Sequence, residues 1–172
     1  MRMNQTPRTM VYSESMTTAS LMVATTELYA SGTIFGSVNG TTNGPGAIPI
    51  RAAYENGGAG EVVTVTFAGP TTSYPFNLWL FNAPIAGVAT NGATFTLAGA
   101  DKDKFLGVVG ISGTDYYIPG AGIPMAFVGT GVNVFTASTT TAIVGYLVAC
   151  TVAGSTAGVT TSTLAVNVIH AS

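Results

Sequence analysis

The stretch that decides the fold reads Glu61-Val-Val-Thr-Val-Thr-Phe67. Its β-branched side chains are the type that strands prefer, and they recur with a period of two. This alternation places Val63, Val65 and Phe67 on one face, which we expect to point into a core. The segment is therefore predicted to be a β-strand with one buried face.

A second stretch, Phe76-Asn-Leu-Trp-Leu-Phe81, has bulky side chains at both alternating sets of positions. Phe76, Leu78 and Leu80 share one face, while Trp79 and Phe81 lie on the other. A strand with large apolar groups on both faces needs cover on both of them. We therefore predict a central strand that is covered on both sides.

Similar short apolar segments continue from Leu28 to the end of the chain. Further strands are predicted over residues 28–38, 47–54, 105–111, 124–128, 132–136, 143–152 and 163–169. The 22 glycines and 8 prolines would interrupt a helix, and they supply turns between the strands. Gly57–Gly60 and Gly129-Thr-Gly131 are both interpreted as turns, and residues 82–104 as a long connection. About nine short strands predict an all-β fold, a single antiparallel jelly-roll-like β-sandwich.

We expect the core between the two sheets to consist of apolar residues from these strands. Its predicted members are Val63, Val65, Phe67, Phe76, Leu78, Leu80, Val108, Leu147 and Val148.

Residues 1–27 are rich in Thr, Ser and Met and show no sustained period of either kind. We predict that they form an extended N-terminal arm outside the sandwich, and that residues 28–172 form the β-sandwich domain. The arm contains apolar side chains that need burial, so we expect it to anchor the protein on a partner or a neighbouring subunit. The expected contact residues are Met10, Val11, Tyr12, Leu21, Met22 and Val23. The alternative is a disordered tail.

The composition combines high hydrophobicity with very little charge. Hydrophobic residues make up 47% of the chain but charged residues only 7%, against about 25% in ordinary soluble domains. The longest apolar run, residues 142–152, is too short for a spanning helix of about 20 residues, so we expect no membrane partner. Surfaces with so little charge are typical of subunits that other proteins cover, which indicates a component of an assembly.

The charges also argue against nucleic acid as a partner. The five basic residues are scattered and the net charge is −2, whereas phosphate binding needs clustered Lys or Arg. The one cysteine, Cys150, excludes an internal disulfide and is expected to be a small buried hydrophobe.

Few residues could carry catalysis. The single histidine, His170, is close to the C-terminus and is expected to be exposed or at an interface. Asp101 and Asp103 lack the other ligands of a calcium loop, so we interpret their segment as a turn before the strand at Phe105. Glu55 and Glu61 flank a glycine-rich turn without a supporting polar shell. We expect no catalytic residue, no cofactor and no metal, and therefore no enzyme.

Several segments taken together resemble a known family. They are Tyr29-Ala-Ser-Gly-Thr-Ile-Phe-Gly36, Ile50-Arg-Ala, Gly60-Glu-Val-Val-Thr-Val-Thr, Leu78-Trp-Leu-Phe-Asn-Ala-Pro84, Asp103-Lys-Phe-Leu-Gly-Val-Val-Gly-Ile111 and Gly145-Tyr-Leu-Val-Ala. Their order over about residues 29–169 resembles the head decoration (cement) proteins of tailed bacteriophages. The resemblance does not extend to the N-terminal arm.

The resemblance implies a jelly-roll-like sandwich on the outer surface of a virion capsid, without an active site. Its expected partners are the major capsid protein, whose neighbouring subunits it would bridge, and other copies of itself. A homodimer is favoured over a trimer because two-fold contacts are the commonest. The alternative is a phage tail or fibre component that binds a host glycan or receptor. Tyr116-Tyr117 would suit either carbohydrate stacking or a protein interface.

Overall fold

The computed structural model describes residues 12–23, 28–35, 46–68, 75–86, 92–118, 123–150, 153–154 and 160–171. Within these ranges the chain forms eleven strands and two short 3₁₀ helices. No helix in this part of the chain has the length and apolar character needed to cross a bilayer.

The elements follow one another along the chain with short strands between long ones. The strands are β1 (Tyr12–Val23), β2 (Leu28–Tyr29), β3 (Ile48–Arg51), β4 (Ala59–Ala68), β5 (Phe76–Phe81), β6 (Phe105–Ile111), β7 (Tyr116–Tyr117), β8 (Met125–Phe135), β9 (Ala142–Ala149), β10 (Ala153–Gly154) and β11 (Thr160–Ala171). The 3₁₀ helices are Gly99–Lys104, just before β6, and Gly113–Asp115, just before β7.

Two antiparallel sheets face each other. The five-stranded sheet has the order β1-β11-β4-β8-β7, and the four-stranded sheet has the order β3-β9-β5-β6. Most neighbours within a sheet are distant in sequence, so the chain passes repeatedly from one sheet to the other. This architecture confirms the predicted all-β sandwich, and β5 and β6 have the predicted bounds.

The core between the sheets is built around three phenylalanine rings. The Phe35 ring centroid lies 4.3 Å from that of Phe76, and the Phe67 centroid lies 5.3 Å from that of Phe76. Of the nine predicted core residues, seven are buried and Val63 and Val108 are only half-buried.

Both exceptions have a cause in the strand register. The pairing of β4 with both of its neighbours shifts between Val62 and Thr64, which is a β-bulge. As a result the side chain of Val62 is buried in the core, and that of Val63 is only half-buried. On β6 the inward set contains Val109 and Ile111, whereas Val108 lies opposite Trp79 on the outer face. Sequence alternation alone could not locate a bulge or choose between the two faces of β6.

A second apolar cluster covers the outer face of the four-stranded sheet. Its buried members are Ile34, Phe81, Ile85, Tyr146 and Val148. Val148 is therefore buried as predicted, but outside the space between the sheets. The cluster confirms that β5, which lies between β9 and β6, is covered on both faces.

β8 corrects the prediction of two strands separated by a glycine turn. The strand runs without interruption through Gly129 and Gly131, and its register against β4 shifts at this point. Neither glycine has a positive φ, so both adopt ordinary extended backbone. Glycine permits the irregular pairing here without ending the strand.

β1 corrects the prediction of an arm outside the sandwich. Its residues pair with β11 from Tyr12 opposite Ala171 to Val23 opposite Thr160, so this segment is the edge strand of the five-stranded sheet. Residues 1–11 and 24–27 of the predicted arm lie outside the described residues.

The absence of a hydrophobic period in β1 has a physical reason. The Ser15 hydroxyl donates to the backbone oxygen of Arg51 at 3.0 Å, and the Thr17 hydroxyl accepts from the Arg51 N–H at 3.1 Å. Ala19, on the same side of the strand, is buried in the core. These positions face the backbone edge of β3, whose N–H and C=O groups need hydrogen-bond partners. Small hydroxyl side chains supply those hydrogen bonds, and large apolar side chains could not.

Candidate protein-contact surfaces

The six predicted contact residues in the N-terminal segment divide into two groups. Met10 and Val11 lie outside the described residues. Tyr12, Leu21, Met22 and Val23 belong to β1, where the backbone pairs with β11; their side chains lie outside the described part. The structure thus brings these four positions to one edge of the five-stranded sheet, and their contact with a partner stays a prediction.

The outward side of β1 presents a mixed surface at this edge. Glu14, Met16 and Thr18 all point away from the core, and Met16 is 72% exposed. A long apolar side chain this exposed on an edge strand is suited to contact with another protein.

The opposite edge of the same sheet carries a larger apolar surface, which we call the β7–β8 patch. Its members are Tyr117, Ile118, Ile123, Met125 and Phe127, with exposed fractions of 73, 50, 66, 46 and 65%. Tyr117 lies directly opposite Met125 in the register of β7 and β8. Phe127 is two positions further along β8 and therefore on the same face. Tyr117, Met125 and Phe127 therefore lie side by side on the outside of the sheet. Ile118 directly follows Tyr117 in the chain, and Ile123 is two positions before Met125.

The local structure before β7 fixes the orientation of the patch. Ser112 begins the 3₁₀ helix Gly113–Asp115, and its N–H donates to the Asp115 carboxylate at 2.6 Å in a capping box. The chain then enters β7 with Tyr116 directed inward, where its ring centroid lies 6.4 Å from that of Phe67. Burial raises the pKa of Tyr116. Because side chains alternate in a strand, an inward Tyr116 requires Tyr117 to point outward.

The tyrosine pair can be recognised as a contact candidate from the sequence, whereas Met125 and Phe127 cannot. The large residues of this part of β8 alternate with Ala126 and Val128, and a strand with such a pattern is normally read with its large side chains in the core. The structure has the opposite arrangement: Ala126 is buried and Phe127 is exposed. The pattern revealed the alternation but not which side faced solvent.

The structure also corrects the prediction for His170. It was expected to be exposed or at an interface, but it is 2% exposed on the inward face of β11, which also carries Leu164, Val166 and Val168. Burial, together with the positive charge of Arg51, lowers the pKa of His170. The physical reason is that the last strand runs almost to the C-terminus in the interior of the sheet, so position near a terminus did not mean exposure.

Asp101 has a structural role in the long connection between β5 and β6. Its carboxylate accepts from the Lys104 ammonium at 2.9 Å and from the Ala86 N–H at 3.3 Å, and its side chain is 1% exposed. The hydrogen bond from Lys104 is the main cause that lowers the pKa of Asp101. Lys104 also donates to the Pro84 carbonyl at 2.8 Å. These hydrogen bonds hold Pro84 and Ala86, at the start of the connection, against the 3₁₀ helix Gly99–Lys104 at its end. The helix lies where the sequence predicted a turn.

Within the described part of the chain, the remaining reactive side chains do not form a cluster. Glu55 and Glu61 are both exposed, the first in a turn and the second on β4. Cys150 is half-buried rather than fully buried, and burial raises the pKa of its thiol. Among the described residues there is no group of three or more His, Cys, Asp or Glu side chains placed to hold a metal ion.

Comparison with models of known protein families and with curated proteins gave no match for this chain. The structure defines its class as an antiparallel β-sandwich.

Proposed function

We propose that this chain is a structural virion protein that binds the outer surface of a bacteriophage capsid. There it stabilises contacts between subunits of the major capsid protein, and it does so by binding alone, without catalysis or a cofactor. The resemblance of its sequence segments, in their order, to decoration proteins of tailed phages supports the major capsid protein as the partner. The surface of the sandwich supports contact with proteins in general.

The observation that carries the proposal is the amount of large apolar side chain on the surface. Ten large hydrophobic residues among those described are at least 40% exposed. The whole chain has only five basic and seven acidic residues. Exposed apolar surface of this extent, with little charge to keep it solvated, marks a protein that other proteins cover.

The strand order supports the finer interpretation of the fold as a jelly roll. The eight strands of four or more residues are β1, β3, β4, β5, β6, β8, β9 and β11. Numbered in that order, they form one sheet as 1-8-3-6 and the other as 2-7-4-5. This connectivity wraps the chain around the sandwich as two Greek keys do in a jelly roll. Jelly rolls serve many functions, so the connectivity supports the fold and not the partner.

The anchoring segment that we propose is shorter than the sequence alone indicated. With β1 in the sheet, the segment that we propose for anchoring lies among residues 1–11, which include Met10 and Val11.

Attachment of this kind stabilises the capsid by mass action. A protein that binds only the assembled lattice lowers the free energy of that lattice in proportion to the logarithm of its free concentration over its dissociation constant. Each contact can be weak, because many copies bind one particle and each copy can touch more than one capsid subunit.

The copy number per particle tests the proposal. Quantitative mass spectrometry of purified particles should find on the order of hundreds of copies, as the symmetric lattice of a capsid requires. Particles stripped of the protein should lose their contents at a lower temperature, and adding back the purified chain should restore the original value. A count of tens or fewer, or particles whose heat stability does not change, would contradict the proposal and favour the tail or fibre alternative.

A further inference from the structure

The β7–β8 patch is the largest concentration of exposed apolar side chains among the described residues. On average its five members are about three-fifths exposed. Because a large side chain has about 150–250 Å² of surface, the patch presents about 600 Å² of apolar area. That is the upper end of what a monomer usually leaves uncovered, and such patches are commonly interaction sites.

The chemistry around the patch sets limits on its partner. All five members are uncharged, and the adjacent positions on β4 are Thr66 and Ala68. The nearest charge along the chain is Asp115, and its carboxylate already accepts from the Ser112 N–H. Nothing in this arrangement would attract a strongly charged surface.

The same features are those that a two-fold contact needs. When two copies meet through the same surface, a charge near the two-fold axis lies close to its own copy and is repelled, whereas an uncharged apolar surface is complementary to itself. The patch is also rich in aromatic residues and methionine, which are enriched at interfaces between proteins.

The area agrees with a stable dimer. Two copies of the patch would bury about 1,200 Å² in total, which exceeds the roughly 1,000 Å² that separates specific interfaces from incidental ones. The residues around the patch would add to this figure. We propose that the β7–β8 patch binds the same patch on a second copy of this chain and so forms a two-fold homodimer.

The dimer is a property of the free protein and does not depend on the proposed capsid function. The two copies pack face to face through side chains, and the backbone edge of β8 is not the contact. β7 is only two residues long and pairs with β8 at Ala126 and Met125. In the dimer, Phe127 and Tyr117 are the central anchors, because they combine a large side chain with high exposure in the monomer.

The test is the mass of the full-length chain in solution, by light scattering after size exclusion and by sedimentation equilibrium. Between about 1 and 100 µM, where interfaces of modest size dissociate, the mass should rise to twice that of the 17.4 kDa chain. Phe127→Ser should weaken the dimer by about tenfold or more, and Tyr117→Ser, on the adjacent strand, should do the same.

Phe135 provides a matched control. It is 52% exposed and lies on the same strand and the same face as Phe127, but eight residues away, or about 27 Å. Phe135→Ser should leave the dimer intact. Circular dichroism and thermal melting of each variant check that the fold is retained, and the two patch variants act as checks on each other.

A chain that stays monomeric at the highest concentration would overturn the proposal. So would a dimer that survives both patch substitutions, or one that Phe135→Ser weakens equally. These outcomes leave the capsid proposal untouched, because they are measured without particles. A dimer that fails to bind capsids would contradict only the proposed function.

Discussion

His170 lies at the end of β11, opposite Ser13 of β1 and Gly60 of β4. Neither neighbour carries a charge, and the positive charge of Arg51, which ends β3, acts on the imidazole. Burial and this positive charge both disfavour protonation, so the pKa of His170 is lower in the folded chain than its ordinary value of 6.5. The residue is thus held neutral in the interior at neutral pH.

The first prediction is that the free energy of unfolding decreases as the pH is lowered, because His170 binds a proton more readily in the unfolded chain than in the folded one. Well above pH 6.5 the folded and unfolded chains both carry a neutral His170, and the free energy of unfolding does not depend on it. As the pH decreases from 6.5 towards the lower folded pKa, the unfolded chain binds more protons, and stability decreases. Melting temperatures measured between about pH 8 and pH 5 should show this decrease.

His170→Gln supplies the control, because it removes the only histidine in the chain. Its melting temperature should change much less over the same range. Asp101 also has a lowered pKa, but its contribution to stability is lost only when the pH falls below the ordinary carboxyl value of 3.8. The effect of His170 therefore appears at a higher pH than the effect of Asp101. Equal pH dependence in the wild type and His170→Gln would show that His170 is not the cause.

At the scale of elements, the contact between β6 and β8 joins the two sheets on the side opposite β1. Gly107 of β6 faces Val132 of β8 so closely that a Cβ atom at position 107 would lie 2.7 Å from Val132 Cγ1. Val132 packs against the core, and its β-branched side chain has little rotamer freedom to move aside. The absence of a side chain at Gly107 therefore sets how closely the sheets approach here.

The second prediction compares two glycines on β6. Gly107→Ala should destabilise the fold by about 1–3 kcal/mol, because the added methyl overpacks the contact with Val132. At Gly110 the same methyl would be 3.5 Å from the Asn77 side chain, an ordinary contact, and neither glycine has a positive φ. Gly110→Ala should be neutral or stabilise by up to about 1 kcal/mol through a less flexible unfolded chain.

Denaturant unfolding of both variants measures the difference. If Gly107→Ala proved as stable as Gly110→Ala, the sheets would have to be less closely packed between β6 and β8 than the structure has them.

At the scale of the whole molecule, β1 closes the other side of the sandwich. It covers the edge of β11 along its length, contributes Ala19 to the core and binds the backbone of Arg51 through Ser15 and Thr17. Without it, β11 would become an open edge with unpaired N–H and C=O groups, which favours aggregation. The domain therefore begins within the segment that the sequence assigned to the arm.

The third prediction concerns two truncations. Deleting residues 1–27 should destabilise the sandwich by more than about 3 kcal/mol, a large part of a typical total of 5–15, and should promote aggregation. Deleting residues 1–11 keeps β1 and should leave the melting temperature almost unchanged. Thermal melting and the fraction of soluble protein measure both outcomes.

The shorter truncation also tests the anchoring role separately from folding. If residues ahead of β1 hold the protein on capsids, the 1–11 deletion should fold normally and bind particles weakly. A soluble, fully stable protein after deletion of 1–27 would contradict the integration of β1 into the sheet.

The sequence by itself determined the secondary-structure type and much of the core. β5 and β6 were predicted with the bounds that they have, because their apolar alternation extends over the whole strand. The bulky apolar side chains on both faces of β5 indicated that both faces are buried, although the sequence did not show which segments bury them. These properties are local, since a side chain's preference for burial is set by its own chemistry.

The tertiary structure alone decided which face is covered, and with what. Phe127 and Leu78 are both large apolar residues in alternating strands, yet one is 65% exposed and the other is buried, because only one faces the opposite sheet. Ser15 and Thr17 gave no strand signal because their positions pack on a backbone edge, where hydroxyl groups serve better than hydrocarbon. Such outcomes depend on the partner that each face meets, and that partner is distant in sequence.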